Sequence, residues 1–335
     1  MAQLFAAIEM EITEQKLHHL DLSTNTALTH LGFDDNQLSS IDLTANPALT
    51  RLELSNNQLT SIDLSTNTVL EQLTLDGNQH TSIDLSAQTA LTRLWLFDNQ
   101  LTSIDLSANT ALEELALDGD QLTSTDLAAH TALTRLWLFD NQLTSFDFSA
   151  NTSLELLVLN GQLTSIDLSA NTALTRLWLS DNQLSSIDVS ANTALEELAL
   201  DGNQLTSIDL SANSAVELLV LDGNQLSSID LTANPALTRL WLFDNQLTAI
   251  DLSANTVLER LALDGNQLAS IDVSTNTALE NLTLDGNQLS SIGLSNISSV
   301  IWSSFVKMLV IKSQIALIRS LPVIRNLHHQ CRHQA

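Results

Sequence analysis

The sequence repeats itself every 21 residues, and this period restricts the fold more than any other property of the chain. Aligned on the first leucine of each unit, copies begin at Ala7, Leu28, Leu49, Leu70, Leu91, Leu112, Leu133, Leu154, Leu174, Leu195, Val216, Leu237, Leu258 and Leu279. One unit is a residue short: from Leu154 to Ala173, LNGQL stands where units such as that from Leu195 read LDGNQL. A unit this small cannot enclose a core, so each must bury its apolar row against its neighbours, as in a solenoid. A length of 335 residues would by itself suggest about two domains. With only 9 Gly and 3 Pro and no linker-like stretch, one continuous stack explains the chain better.

The unit also contains itself. From Leu91 it reads L-T-R-L-W-L-F-D-N-Q and then L-T-S-I-D-L-S-A-N-T-A, so L-x-x-L-x-L-x-x-N occurs twice per coil. The alternation x-L-x-L-x points every second side chain inward, which is a strand pattern. This motif resembles the leucine-rich repeat family, in its short, nested form, over roughly residues 7–299. The expected fold is therefore mainly β: a leucine-rich-repeat solenoid with short parallel strands on two faces, any helix being confined to a C-terminal cap. Similar strands on both sides predict a fairly straight rod, on the order of 67 Å long at about 4.8 Å per coil. The expected division is a degenerate N-terminal repeat or cap over 1–27, the solenoid over 28–299, and a basic, apolar cap or tail over 300–335.

Two columns of asparagine fit such coils. Asn36, Asn57, Asn78, Asn99, Asn141 and Asn182 recur in the first half-unit, and Asn25, Asn46, Asn67, Asn109, Asn151 and Asn171 in the second. Where a coil turns, buried backbone groups lose their strand partners, and a short amide can replace them. Gln88, Asp120 and His130 interrupt the columns and mark coils expected to be weaker.

Positions three, five and seven lie between inward leucines and are expected to face solvent. They hold Arg93, Trp95 and Phe97, then Arg135, Trp137 and Phe139, then Arg176, Trp178 and Ser180, and then Arg239, Trp241 and Phe243. Intervening coils place Glu114, Ala116 and Asp118, or Glu197, Ala199 and Asp201, at the same points, which predicts a striped surface. Arg–Glu pairing and Trp over Ala would strengthen the sheet by roughly 0.2–1 kcal/mol per pair. Exposed Trp and Arg are also the residues most enriched at binding hot spots, so the same residues are candidates for a contact surface.

The other half-unit, T-S-I-D-L-S, places an aspartate in every coil from Asp21 to Asp272 and ends at Gly293. Carboxylates about 4.8 Å apart repel by roughly 1 kcal/mol before screening, so hydroxyls, backbone N–H groups or cations must offset them. A hydroxyl-rich repetitive face could also suit ice, although ice-binding arrays favour threonine and carry few charges.

The remaining features mostly exclude. With 39 acidic against 12 basic residues the net charge is −27, which repels phosphate backbones and argues against nucleic acid. Cys331 is the single cysteine, so neither a disulfide framework nor a cysteine metal site is expected. None of the eight histidines has catalytic or metal-motif spacing, and no cofactor or metal is expected. The first residues lack a basic n-region and reach Glu9 and Glu11 early, unlike a secretory signal peptide, and a cytoplasmic location is slightly favoured. After Asp285 there is no acidic residue, while Lys307, Lys312, Arg319, Arg325 and Arg332 interrupt an apolar tail. A membrane span is not expected there; a terminal cap, a membrane-surface segment, or sequence not shaped with the repeats all remain open. The expected function is noncatalytic recognition of other proteins through the Arg-Trp-Phe stripe. The protein-binding role follows from the family resemblance, and glycan or ice adhesion by a flat face is the alternative.

Overall fold

The computed structural model describes residues 9–294 and the backbone of 301 and 302. The expectations for the remainder of the tail lie outside the described residues. Within them the chain is a regular succession of short strands and turns, with no helix. Strands of three residues occur at Glu9–Glu11 (β1), His30–Gly32 (β2), Arg51–Glu53 (β3), Gln72–Thr74 (β4), Arg93–Trp95 (β5), Glu114–Ala116 (β6), Arg135–Trp137 (β7), Leu156–Val158 (β8) and Arg176–Trp178 (β9). They continue at Glu197–Ala199 (β10), Leu218–Val220 (β11), Arg239–Trp241 (β12), Arg260–Ala262 (β13), Ser270–Asp272 (β14), Asn281–Thr283 (β15), Ser291–Gly293 (β16) and the two-residue Ile301–Trp302 (β17).

Fifteen of these strands form one parallel sheet in sequence order, leaving out β14 and β16. The register follows the repeat: Leu94 stands between Leu73 and Leu115, and the rest of the row continues likewise. The central leucine of nearly every strand is buried, and these leucines join those of the turns and the opposite flank in one core along the stack. Phe33 and Phe148 are the largest side chains in it.

The turn after most strands of the large sheet takes a left-handed residue at position eight of the unit. Asp35, Asn56, Asp98, Asp140, Asp181 and Asp244 adopt φ of 52–55° there, and glycines fill the same place in other coils. The choice can be coupled between coils. A Cβ on Gly119 would lie 2.5 Å from Asp98 Oδ1, so where Asp98 leans over the following turn a glycine gives it room.

The asparagine columns do what the pattern predicts, but unequally. In the first, Asn203 Nδ2 donates to the carbonyls of Leu179, Leu200 and Asp201, and its Oδ1 accepts the N–H of Leu184. In the second, Asn192 Nδ2 donates to Leu168 and Asn171 carbonyls, while its Oδ1 is buried without a partner. Gln88 keeps both bonds of its column, to Leu64 and Asn67 carbonyls. His130 keeps one, to Leu106. The short coil from Leu154 supplies no asparagine to the first column, and Asn160 instead bonds to Asp140.

The flank carrying T-S-I-D-L-S is extended, but among the described residues paired strands occur on it only between β14 and β16. The aspartates along this flank engage their own backbone. Asp63 Oδ1 accepts the N–H of Ser65 at 2.9 Å, and the same bond recurs down the column. Each aspartate thus draws a backbone donor into a local loop, and two tight turns follow, such as Asn67 N–H to Leu64 carbonyl and Leu70 N–H to Asn67 carbonyl. Pairing appears where Gly293 replaces the next aspartate.

Candidate functional site

The ladder face brings the sequence-predicted residues into two rows. At position three Arg93, Glu114, Arg135, Leu156, Arg176, Glu197, Leu218, Arg239 and Arg260 are successive neighbours. At position five the order is Trp95, Ala116, Trp137, Val158, Trp178, Ala199, Val220, Trp241 and Ala262. The bulky and small side chains alternate or nearly so, and this allows the indoles to lie down.

The expectation that these positions face solvent needs correction. Trp137 is 6% exposed and Ala116 2%, with Leu156 and Val158 also buried, and Trp95, Phe97, Phe139 and Trp178 pack on them. A second group of Ala199, Leu218 and Val220 sits between Trp178 and Trp241. Trp178 belongs to both, so the outer face carries one apolar ribbon from coil to coil. Arg93, Arg135, Arg239, Phe97, Phe139 and Phe243 are half-buried, and Arg176 is exposed. The acidic members are covered too. Glu114 is 6% exposed because Arg135 Nη1 donates to it at 2.7 Å and Arg93 lies 3.7 Å away on the other side.

Position seven was also expected at the surface, yet Asp76, Asp118 and Asp222 are buried. Each accepts the backbone N–H of the phenylalanine in the next coil, Phe97, Phe139 and Phe243 respectively. Burial nevertheless pushes all three carboxyls well above their ordinary range. Asp118 and Asp222 each retain a buried Oδ2 with no partner, which adds to the cost of ionising them.

Two interruptions are similarly costly. Asp120 stands in the first asparagine column; its Oδ1 accepts the N–H of Leu101 at 2.8 Å, but Oδ2 is buried and unpartnered. Burial raises its pKa to about 7. His80, in a core leucine position, has both ring nitrogens buried without partners, and burial lowers its pKa.

The aspartate flank behaves oppositely. Asp63 and Asp105 are held below their ordinary range chiefly by the nearby Ser hydroxyl and then by the backbone N–H. Thr44 and Thr232 hydroxyls donate to Asp42 and Asp230 at 2.6 and 2.7 Å. Internal donors therefore offset the repulsion between neighbours.

Known proteins share this geometry. Residues 172–213 match the family described as Leucine Rich repeats (2 copies). The functional domain of InlJ from Listeria monocytogenes, which includes a cysteine ladder, superposes with a TM-score of 0.82 at 33% identity over 84% of this chain. The chain is a leucine-rich repeat protein. The alignment covers 63% of the Listeria domain, so this leucine-rich repeat chain spans less than two thirds of that relative's length. With Cys331 as its single cysteine it cannot build a cysteine ladder. Lower-identity likenesses share the fold. The leucine-rich effector YopM from Yersinia pestis has a TM-score of 0.76 at 22% identity, covering 89% of each chain. A leucine-rich repeat protein of Leptospira interrogans has a TM-score of 0.73 at 22% identity, covering 84% of this chain and 90% of that one. No curated protein sequence matches. Among the described residues no helix is long and apolar enough to cross a membrane.

One group escaped the sequence reading. Glu11, His30 and Glu53 bring their donor atoms within 4.8 Å of one another. Their separations of 19 and 23 residues form no short motif, and they become neighbours only because one coil advances the chain by 21.

Proposed function

We propose that this leucine-rich repeat protein is a noncatalytic recognition scaffold that binds a partner protein through the ladder face. The observation that carries the reading is the apolar ribbon running outside the sheet from Trp95 to Trp241, bordered by arginines. An ordinary open sheet can present polar side chains to water on one face; here the half-buried Trp95, Trp178 and Trp241 and the half-buried phenylalanines keep the ribbon's outer edges at the surface, where apolar continuity favours an interaction surface. The aromatic rings provide desolvated area and the guanidinium groups orientation.

The C-terminal part of the ribbon is its sharpest point. Arg239 lies in register between Leu218 and Arg260, with Trp241 beside them in the next row. Farther along the face, Arg93 and Arg135 flank Glu114, and Arg176 Nε lies 3.8 Å from Glu197. Two adjacent arginines on a chain of net charge −27 make a local basic spot suited to an acidic loop of a partner.

The test compares proteins captured by the full chain with those captured by a variant carrying Arg239→Glu, Arg260→Glu and Trp241→Ala. A reciprocal capture with each recovered protein as bait accompanies it. At least tenfold loss of a reciprocally confirmed partner, with unchanged circular dichroism and melting, supports the reading. Equal capture by the folded variant overturns it.

A further inference from the structure

At the N-terminal end of the ladder face three residues in adjacent coils break the repeat and converge. Glu11 and Glu53 occupy position five, filled in the other coils by glycine, alanine, threonine, valine or tryptophan, and His30 is the one histidine at position three. Gly32 stands between the two glutamates in the parallel register. A Cβ there would lie 3.2 Å from Glu11 Cγ and 3.3 Å from Glu53 Oε2, so a glycine leaves the two carboxylates room to close over it. His30 Nε2 is 3.2 Å from Glu53 Oε2 and 4.0 Å from Glu11 Oε1.

We propose that Glu11, His30 and Glu53 bind one divalent transition-metal ion of the zinc type and thereby clasp the first three coils together. Tetrahedral zinc with bonds of about 2.0–2.1 Å sets its ligand atoms about 3.3 Å apart. The His30–Glu53 separation is already close to that value. Glu11 must close by less than about 1.5 Å to reach tetrahedral spacing, and its side chain, 48% exposed, can rotate to do so. One imidazole with two carboxylates suits zinc and its transition-metal neighbours better than calcium or magnesium, which prefer all-oxygen sets.

The supporting contacts are also in place. Arg51 Nε and Nη2 donate to Glu53 Oε1 at 3.0 and 2.5 Å. This fixes the carboxylate and directs its other oxygen toward His30, the role that outer hydrogen bonds play around metal ligands. An ordinary ion-pair cluster would hold the same three residues, with His30 between Glu53 at 3.2 Å and Glu11 at 4.0 Å; titration with zinc separates that arrangement from a metal site.

The full chain, stripped with a chelator, is titrated with zinc chloride by calorimetry, and Glu11→Gln and His30→Gln variants are titrated alongside. His328, His329, Cys331 and His333 are potential ligands of their own, so the readout is the difference between variants. Wild type should bind one equivalent more than His30→Gln, and Glu11→Gln should weaken that equivalent at least ~10-fold. Zinc should also slow amide exchange of β1 and β2 in wild type alone. Should His30→Gln fail to fold, Glu11→Gln, altered at an exposed carboxylate, decides by itself. Identical stoichiometry and affinity in wild type and the folded variants overturn the proposal, as does equal His30-dependent binding of magnesium.

Discussion

The two flanks of each coil carry nearly the same pattern of leucines and asparagine, yet one builds a fifteen-stranded sheet and the other pairs strands only at β14 and β16. The difference teaches that outward residues, as well as the inward leucines, decide whether a ladder closes. On the sheet side the outward neighbours include Arg–Glu pairs and tryptophans packed on small residues. On the other, each aspartate bonds its own backbone and repels its neighbour. Acids on the two flanks consequently titrate in opposite directions: Asp76 and Asp118 under the ladder face are pushed up by burial, whereas Asp63 and Asp105 on the opposite flank are pulled down by hydroxyl and N–H donors.

The largest test of this contrast is in the asparagine columns. Asn203→Ala removes a side chain that satisfies four backbone groups and should cost roughly 3–5 kcal/mol. Asn192→Ala, on the flank where the amide serves two carbonyls, should cost about 2 kcal/mol. Denaturant unfolding of the two variants measures the difference, and equal losses would erase the inequality between columns.

Next comes Asp120→Asn, which restores the amide of the ladder-side column. It should stabilise the chain by about 1–2 kcal/mol at pH 8. The sign follows from proton binding. Its folded pKa is raised to about 7 from 3.8, so the folded chain holds the proton more tightly, and stability falls as pH rises from about 4 through 7. The gain from the variant should therefore shrink toward zero near pH 4, as melting temperatures across that range would show. Asp118→Asn should act in the same direction, because its carboxyl is also raised.

The aspartate flank has the reverse sign. Asp63 and Asp105 have folded pKa values below 3.8, so their contribution is present above that value and is lost as pH falls through the folded pKa. Ser65→Ala and Ser107→Ala together remove two of the hydroxyls that favour the ionised form. They should lower the melting temperature slightly at pH 8, and the deficit should vanish in strong acid, where wild type has lost the same contribution. A deficit that grows on acidification would contradict the assignment. The smallest effect is expected from Gly293→Asp, which extends the column into β16. Amide exchange should accelerate in β14 and β16 with little change in global stability; unchanged exchange would mean that aspartate does not keep strands apart.

Much of the fold was legible because a repeat of 21 residues fixes which residues stand one above another. From this come the leucine core, the parallel register and the turn role of asparagine. The same arithmetic identified the neighbours of Trp95, Trp137, Trp178 and Trp241, though not their burial. Alternation tells which side of a strand a residue leaves from, and Trp137 does leave outward; whether it then meets water depends on how far it folds across Ala116 and Val158.

The candidate site was accordingly only half visible. The arginines and rings could be named, but Asp118 and Glu114 read as surface acids because nothing in a single coil shows that Phe139 and two arginines will cover them. Glu11, His30 and Glu53 were invisible for a related reason: each looks like one irregular residue in its own coil. The sequence alone determined periodicity, inward face and register, since these follow from chain geometry that every coil shares. Tertiary structure decided burial, protonation and convergence, since those depend on the volume and charge of side chains that meet only after the coils have stacked.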